Sequence, residues 1–398
     1  MELTRVIHPI GQGGFYTETF TDENNHELFN MVYDCGSETD KSRHILSYLK
    51  KYISGSNKNI DAVFISHLHN DHINGLDYLL RTSTVRNLFL PQLTSDMIIE
   101  AYLYNYIKTG VVNNPSNDCI ANLLRGTYNN TRIVEIIESN GDEGFDRGES
   151  IAIGDNLKPS YPSGTVFTVN SRVVCPDGRY IKWLYIPFNS PYPTKNGKPI
   201  SQDQLFSSVI DSNGNIEPNR LSYLMKSKSI DECKGIYSEY FGKDHNAYSM
   251  TLFSGLEHPR FISRYKGGRC HRCWNMPHHY YSPNFIYTGD FKPNLKLGSS
   301  SYVEMMKRRL ENMKLWDSIS GIQVPHHGSR YNFNIELYHF PCVGYVSVGS
   351  TNAHHHPHVD TIINIQKAGC APVVVSEDLN SMQIEVYEIL CRRINNNV

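Results

Sequence analysis

Residues 67–72 read His-Leu-His-Asn-Asp-His and follow the apolar run 62–65 after a single serine. The stretch holds four candidate metal ligands: His67, His69, Asp71 and His72. Because side chains alternate along a strand, a strand that ends here places the first two on one side. The last two then lie on the turn that opens a predicted helix over residues 73–80. Imidazole and carboxylate together suit zinc, iron or manganese, so the stretch predicts a metal site rather than a histidine-rich surface loop.

Strand and helix patterns alternate on both sides of this stretch. Apolar runs predict strands over 5–10, 15–20, 28–33, 61–65, 85–90, 250–253, 285–287, 321–324, 343–348, 372–376 and 382–386. Helical spacing predicts helices over 41–53, 73–81, 302–315 and 359–367. Strand–helix alternation with short connections is typical of an α/β protein. Two strand-rich halves with flanking helices predict two sheets that pack face to face and are covered outside.

The middle of the chain has a weaker pattern. Its predicted elements are helices over 97–106 and 121–127, a strand over 132–137, a hairpin of 165–174 with 180–188, and an extended loop or insertion over 189–220. We therefore divide the chain into a first αβ half (1–93), a region that is partly core and partly insertion or cap (94–242), and a second αβ half (243–398).

Composition limits the classes of function. The formal net charge of −2 gives no global attraction to nucleic acid or to anionic membranes. The first residues carry no apolar stretch typical of a signal peptide, and no apolar run reaches the roughly 20 residues that span a bilayer. Nine cysteines, an odd and scattered set, are typical of a reduced protein. We expect a cytoplasmic protein without a membrane segment.

Three later segments end predicted strands with further candidate ligands. They contain Gly289-Asp290, then His326-His327-Gly328-Ser329, and the histidine-rich loop 350–358 with His356 before Pro357. A single Gly-Asp or His-Pro pair is a weak indication. The occurrence of all three segments after apolar strands, in this order, is a much stronger indication of further metal ligands.

These segments together resemble the metallo-β-lactamase-fold hydrolases, and most of all the β-lactamase-like domain of bacterial DNA-uptake competence channel proteins. The matching segments are 10–13 with 33–36, 66–72, 288–290, and 326–329 with 347–349 and 356–357. They anchor residues 5–90 and 245–390. The resemblance implies a four-layer αββα sandwich, interrupted here by the insertion in the middle of the chain.

The resemblance also implies a site for two divalent metal ions, zinc or manganese. By position, His67 and His69 hold one ion, Asp71 and His72 hold the other, Asp290 bridges them, and His356 is the last ligand. His327, or its neighbour His326, matches a histidine placed over the scissile phosphate. Many relatives take one more ligand from a histidine before the Gly-Asp segment. The competence-type proteins have Asn…Ser there, which Asn246…Ser249 matches, and His245 could fill the role instead.

Such a site predicts a metal-dependent hydrolase, because a divalent ion lowers the pKa of bound water and supplies hydroxide at neutral pH. Asp71 would orient the nucleophile, and His327 or His326 would act as the proton donor. We expect a phosphodiesterase or nuclease acting on a phosphodiester, nucleotide or nucleic acid. A hydrolase of a lactam, lactone or thioester stays an alternative, as does a non-catalytic binding module. A redox di-iron role fits the ligand pattern less well.

Residues 256–284 form a loop rich in cysteine, histidine and arginine. Cys270-His-Arg-Cys273 could bind an extra structural zinc, although a single C-x-x-C pair is a weak indication. Basic residues among aromatics here could instead contact phosphates or a single strand, or the loop could simply be solvated. The 94–242 region is the candidate surface for a protein partner.

Overall fold

The computed structural model describes residues 1–53, 58–112, 118–138, 150–154, 156–174, 180–189, 197–242, 249–257, 261–267, 282–297, 300–338 and 342–391. Within these residues the strands are β1 (Glu2–Ile7), β2 (Gly13–Thr21), β3 (Glu27–Ser37), β4 (Asn59–Phe64), β5 (Thr84–Pro91), β6 (Arg132–Ile137), β7 (Ile151–Ala152), β8 (Ser160–Pro162), β9 (Phe167–Val174), β10 (Tyr180–Phe188), β11 (Thr251–Leu256), β12 (Phe261–Gly267), β13 (Asn284–Tyr287), β14 (Lys296–Leu297), β15 (Ser300–Ser301), β16 (Ile319–Gln323), β17 (Val343–Ser347), β18 (Ala371–Val375) and β19 (Gln383–Cys391). The helices are α1 (Arg43–Ile53), α2 (Asn70–Ile73), α3 (Leu76–Thr82), α4 (Ser95–Thr109), α5 (Cys119–Leu124), α6 (Pro218–Lys226), α7 (Ile230–Phe241), α8 (Tyr302–Asn312) and α9 (Val359–Lys367).

Two large mixed sheets organise these strands. The first has the order β12-β19-β1-β2-β3-β4-β5-β6-β8, and the second has the order β18-β17-β16-β13-β11-β10-β9-β7. Neighbours from β3 to β6 run parallel in the first sheet, as do β13, β16, β17 and β18 in the second. The carboxyl ends of parallel strands meet at one edge of a sheet, which is where open α/β sheets place their ligands.

Apolar side chains fill three layers. Aromatic residues dominate the layer between the sheets, where Tyr16, Phe64 and Trp183 are fully buried. A second layer lies between the first sheet and helices α1, α3 and α4, and a third lies between the second sheet and helix α8. Strand β2 shows the alternation directly, because Phe15 packs toward the helices and Tyr16 toward the other sheet. The order of layers is the predicted αββα sandwich.

The predicted helix over 73–81 is interrupted. Helix α2 ends at Ile73 and α3 begins at Leu76. Gly75 explains the break, because its N–H donates to the Cys35 carbonyl at 2.8 Å and a Cβ there would lie 2.9 Å from the same oxygen. This close approach to β3 separates α2 from α3.

The middle region contributes to both sheets and also adds helices. Strands β6 and β8 extend the first sheet, while β7, β9 and β10 extend the second. Helices α6 and α7 pack on α4, and α6 begins inside the stretch predicted as an extended loop. A capping box at Ser229 with Glu232 opens α7 and was a readable indication of that helix. Strand β12, inside the predicted 256–284 loop, pairs with β19.

Among the described residues, none of the helices is both long and apolar enough to cross a bilayer.

Candidate metal centre

The first ligand segment lies between β4 and α3. His67 and His69 are each 3% exposed, and their ring centroids are 4.5 Å apart. Helix α2 then carries Asp71 and His72, both buried, and the His72 ring lies 4.1 Å from that of His67. The strand end and the single helical turn therefore bring four ligand side chains to one buried point.

The second half of the chain places two further candidate ligands, Asp290 and His327, beside the first four. Asp290 follows β13, and its two carboxylate oxygens lie 3.9 Å from His67 Nε2 and 3.3 Å from His72 Nε2. His327 follows β16, and its Nε2 lies 3.3 Å from Asp71 Oδ2 and 3.6 Å from Asp290 Oδ1. Asp290 thus lies beside both predicted metal positions.

Two groups of ligand atoms, each within 4.8 Å of one another, result from this convergence. They are Asp71, His72, Asp290 and His327 in one group and His67, His69 and Asp71 in the other. A buried His/Asp cluster of this kind could hold a divalent metal ion, and the donor set suits zinc or manganese.

Hydrogen bonding supports this fit. Within the described residues, four buried atoms of the candidate ligands in this stretch have no hydrogen-bond partner: His67 Nε2, His69 Nδ1, Asp71 Oδ1 and His72 Nε2. A buried polar atom without a partner costs stability. Several such atoms gathered at one point fit the donor set of a metal-ion site. The polar atoms left over are the ones that would face a metal ion.

The other ring nitrogen of each histidine is held by a neighbour. His72 Nδ1–H donates to Asp34 Oδ2 at 2.8 Å. His67 Nδ1 lies 2.9 Å from Ser66 Oγ and 3.2 Å from Ser249 Oγ. Partners of this kind set the tautomer and ring orientation of a ligating histidine.

His69 has a longer chain of support. Its Nε2–H donates to Glu100 Oε1 at 3.0 Å, and its ring stacks on Tyr104 with centroids 3.7 Å apart. The Tyr237 hydroxyl, on helix α7, donates to the same Glu100 oxygen. The middle region of the chain therefore reaches the candidate metal centre through α4 and α7.

Sequence reasoning did not assign these supporting residues. Asp34 lies near the end of β3, in one of the segments that carry the resemblance. Its hydrogen bond to His72, however, depends on the packing of β3 against α2. Glu100 and Tyr237 are 137 residues apart, and no sequence motif links either of them to His69. Only the tertiary structure brings them to His69.

The turn that follows β16 has an unusual backbone. His326 and His327 have φ values of 48° and 53°, in the left-handed region that ordinary residues rarely adopt. His327 Nδ1–H donates to the Ser347 carbonyl at 2.8 Å, which turns its Nε2 toward the ligands. His326 projects differently: Nδ1 lies 3.1 Å from Asn332 Oδ1, and Nε2 lies 3.8 Å from Asp290 Oδ2.

His356 lies beside the cluster rather than within either ligand group. Its ring centroid is 5.2 Å from that of His326 and 6.5 Å from that of His327. Burial, together with the positive charge that His326 and His327 can carry, lowers the pKa of His356 to about 3. Among the described residues, His327 therefore belongs to a group of close candidate ligand atoms, and His356 stays a predicted ligand beside it.

Other predicted residues cannot be placed. His245, Asn246, Cys270 and Cys273 lie outside the described residues. Ser249, the second half of the Asn…Ser pattern, is described: its Oγ accepts from the Asp290 backbone N–H at 2.9 Å and also contacts His67. It therefore links the two ligand segments.

Charge in the cluster is balanced between carboxylates and imidazoles. Burial alone would raise the pKa of Asp71 and of Asp290, but neighbouring histidines lower both well below the ordinary range. His72 and His327 act on Asp71, while His326, His72 and His327 act on Asp290. The pKa of His67 is lowered by burial and by the neighbouring histidines. In turn the carboxylates, against the effect of burial, raise the pKa of His72 and of His327. An ionised carboxylate and a neutral imidazole are the forms in which these side chains bind metal.

A cleft of about 270 Å³ opens over the cluster. Asp71, His326 and His327 lie along it, and Glu38 lines the same wall as Asp71. Burial and the charge of Asp71 raise the pKa of Glu38 to about 6. A substrate entering this cleft would meet the candidate ligands at its base.

The layer order and the strand-end ligand cluster define the metallo-β-lactamase fold. Residues 25–107 match the family model described as "Metallo-beta-lactamase superfamily", and this segment contains the whole first ligand stretch. Over these residues the chain is similar to that superfamily. No sequence among curated proteins matches the chain.

Solved structures with similarity to the chain include three from this fold. Unliganded yeast PDE1 has 11% identity and a TM-score of 0.42, and the match covers 96% of this chain and 99% of that one. The short form of human tRNase Z has 9% identity and a TM-score of 0.35, with 94% and 92% covered. The metallo-β-lactamase SMB-1 has 7% identity and a TM-score of 0.24, with 80% and 75% covered.

Proposed function

We propose that this protein is a metal-dependent hydrolase of phosphodiesters. The observation that carries the proposal is the convergence of buried histidine and carboxylate side chains from two distant parts of the chain at an open cleft. Within the described residues, four polar atoms of the stretch 67–72 have no hydrogen-bond partner there. A structural metal site is closed, whereas a catalytic one keeps a position open to substrate.

The proposed ligands are those at the convergence point. They are His67, His69, Asp71, His72, Asp290 and His327, with His245 and His356 kept as further candidates. When bound, zinc or manganese would supply Lewis-acid polarisation and an activated water at neutral pH. Asp71 and Asp290 would provide the negative charge that retains two such cations.

His326 is the residue that we propose to contact the substrate. It lines the cleft with 24% of its side chain exposed, whereas His327 is almost fully buried among the ligands. Asn332 Oδ1 accepts from Nδ1–H, so Nε2 can donate to an anionic phosphoryl oxygen or to the leaving group when the ring is in its protonated, imidazolium form. This assigns the proton-donor role to His326 and a ligand role to His327.

Other parts of the sequence-based prediction belong to the same proposal. These are the competence-type subfamily, a cytoplasmic location, the three-part division of the chain and a protein partner at 94–242. The two solved structures named first above are by their titles yeast PDE1 and human tRNase Z. For this chain we propose a phosphodiester or nucleic-acid substrate. An extra zinc at Cys270 and Cys273 also stays a prediction.

The test uses the full chain loaded with Mn²⁺ or Zn²⁺ and bis-p-nitrophenyl phosphate as substrate. We expect Asp71→Ala and Asp290→Ala each to lower kcat/KM by about a thousandfold or more, because metal-ion catalysis contributes several kcal/mol and each 1.36 kcal/mol is tenfold. Metal content, measured by mass spectrometry, should fall in parallel.

Asp231→Ala is the matched control, because Asp231 lies on α7 with 91% of its side chain exposed. It should keep both metal content and turnover. Undiminished turnover in the two cluster variants would rule out the proposed centre. Hydrolysis of nitrocefin or a lactone, with none of the phosphodiester, would favour the carbonyl alternative, and binding without turnover of any substrate would favour the binding module.

A further inference from the structure

The cleft over the candidate metal centre is lined by positive side chains from both halves of the sandwich. Lys108 comes from the last turn of α4, while Lys292 and Arg330 come from the loops after β13 and β16. Among the described residues, the acidic side chains that line this cleft are Glu38 and Asp71, and Asp71 belongs to the proposed metal centre. The mouth of the cleft is therefore a cationic surface.

Lys108 is positioned rather than extended into solvent. Its Nζ lies 2.9 Å from His354 Nε2 and 5.4 Å from the centroid of the Tyr104 ring. Tyr104 also stacks on His69, one of the proposed ligands. The ammonium group is thus held at the edge of the cleft, close to the metal centre but outside it.

An exposed aromatic ring also lines the cleft. Tyr331 is 66% exposed, an unusual state for a large aromatic side chain that lines a cleft. The Arg330 guanidinium lies 5.4 Å from the centroid of its ring, and the His358 ring packs at 6.3 Å. Asp360 lies 3.9 Å from Arg330 and balances part of its charge, although Arg330 remains 51% exposed.

Cations that track a phosphate backbone, combined with an exposed ring on which bases stack, are how proteins bind single-stranded nucleic acid. A site for a small lactone or lactam would instead be mostly apolar, with few polar groups. The cleft mouth is of the first kind, because cationic side chains and an exposed aromatic ring line it. The residues that form this cleft mouth lie outside the stretch 256–284, where the sequence indicated a possible surface of this kind.

We propose that Lys108, Lys292, Arg330 and Tyr331, here called the basic rim, bind single-stranded nucleic acid on either side of the scissile phosphate. Lys108 and Arg330 contact flanking phosphates, and Tyr331 stacks against a base. The inference rests on the proposed function for the bond that is cleaved, but binding at the rim can be measured separately from cleavage.

The binding test uses fluorescence anisotropy of short labelled oligonucleotides with phosphorothioate linkages, which slow hydrolysis, on the metal-loaded full chain. DNA and RNA strands form separate arms, and a duplex of the same sequence forms a third. Tyr331→Ala should weaken single-strand binding about tenfold or more, and Tyr331→Phe should restore it, because stacking needs only the ring. Arg330→Ala should make the slope of log K against log salt about 0.7 less steep.

Two exposed residues outside the cleft serve as matched controls. Tyr223, 78% exposed on α6, and Lys50, in the last turn of α1, should each tolerate alanine without a change in affinity or salt slope. Unchanged affinity and slope in the Tyr331, Arg330 and Lys108 variants would overturn the basic rim. Equal affinity for duplex and single strand would overturn the stacking role.

Cleavage kinetics separate this inference from the proposed function. If both hold, Lys108→Ala and Arg330→Ala should lower kcat/KM for an oligonucleotide about tenfold more than for bis-p-nitrophenyl phosphate, which is too small to reach the rim. If neither substrate is hydrolysed, the hydrolase proposal fails while the anisotropy data still decide the rim. Equal losses on both substrates would contradict a role in binding flanking nucleotides.

Discussion

At the scale of single residues, the most informative contact is that between His69 and Glu100. The Glu100 carboxylate accepts from His69 Nε2, so the lone pair of Nδ1 faces the candidate metal position. Tyr237 donates to the same carboxylate from a helix of the middle region. Glu100 and Tyr237 are therefore positioning residues, since they contact the ligand and not the metal or substrate.

Glu100→Gln should lower metal affinity by about 10- to 100-fold, because a neutral amide orients and polarises the imidazole less than a carboxylate does. Tyr237→Phe should lower it less, because the carboxylate still accepts from His69. Titration calorimetry of the metal-free protein with Zn²⁺ or Mn²⁺ measures both affinities.

Glu239→Gln provides the control, since Glu239 lies exposed on the same helix as Tyr237. Its metal affinity should equal that of the unmodified protein. A Glu100→Gln variant that binds metal as tightly as the control would show that Glu100 has no positioning role.

At the scale of elements, a buried ionic network joins the two sheets. Arg5 on β1 pairs with Glu18 on β2 at 2.7 Å and with Glu385 on β19 at 3.1 Å. Hydroxyls from the facing sheet complete the network, because Tyr185 and Tyr287 both donate to Glu18 at 2.8 and 2.9 Å. Directional bonds of this kind fix how one sheet lies on the other, which apolar packing alone does less strictly.

Arg5→Met should lower the free energy of unfolding by about 3–5 kcal/mol, because it leaves the carboxylates of Glu18 and Glu385 buried without their cation. Urea unfolding followed by tryptophan fluorescence measures the loss. Arg86→Met is the comparison, since Arg86 forms an ion pair with Asp61 while 57% exposed, and such pairs contribute about 1 kcal/mol or less. Equal losses in the two variants would refute the structural role of the network.

At the scale of the whole molecule, the candidate metal centre joins the two halves of the sandwich. His67 to His72 belong to the first half, while Asp290 and His327 belong to the second. A ligand that binds only the folded state stabilises it by mass action. Metal binding should thus couple directly to the stability of the whole fold.

Removing metal with a chelator should lower the melting temperature, and free metal at about 1,000 times its Kd should stabilise the fold by about 4 kcal/mol. Differential scanning calorimetry across a metal titration measures the shift. Asp290→Ala should abolish most of the shift and Asp231→Ala should retain it. An identical melting temperature with and without chelator would contradict metal binding by the folded state.

The sequence by itself determined the class of fold. Apolar runs with a period of two or 3.6 residues depend on local chemistry, so the strands around 61–65 and 285–287 and the αββα layering were predicted and are confirmed in the structure. The same locality explains the first ligand stretch, whose members are neighbours in sequence. Helix α6 was missed because it begins within a polar, proline- and glycine-rich stretch, and α7 was missed although the capping box at Ser229 indicated it.

Tertiary structure decided how the site is assembled. The sequence does not distinguish the strand-end histidines 326, 327 and 356 from one another. The left-handed turn after β16 and the Ser347 carbonyl place His327 among the candidate ligands. Glu100 and Tyr237 reach His69 only because α7 packs on α4. Periodicity along a chain reports which face of an element is buried. It carries no information on which distant side chains meet, because that depends on the packing of whole layers.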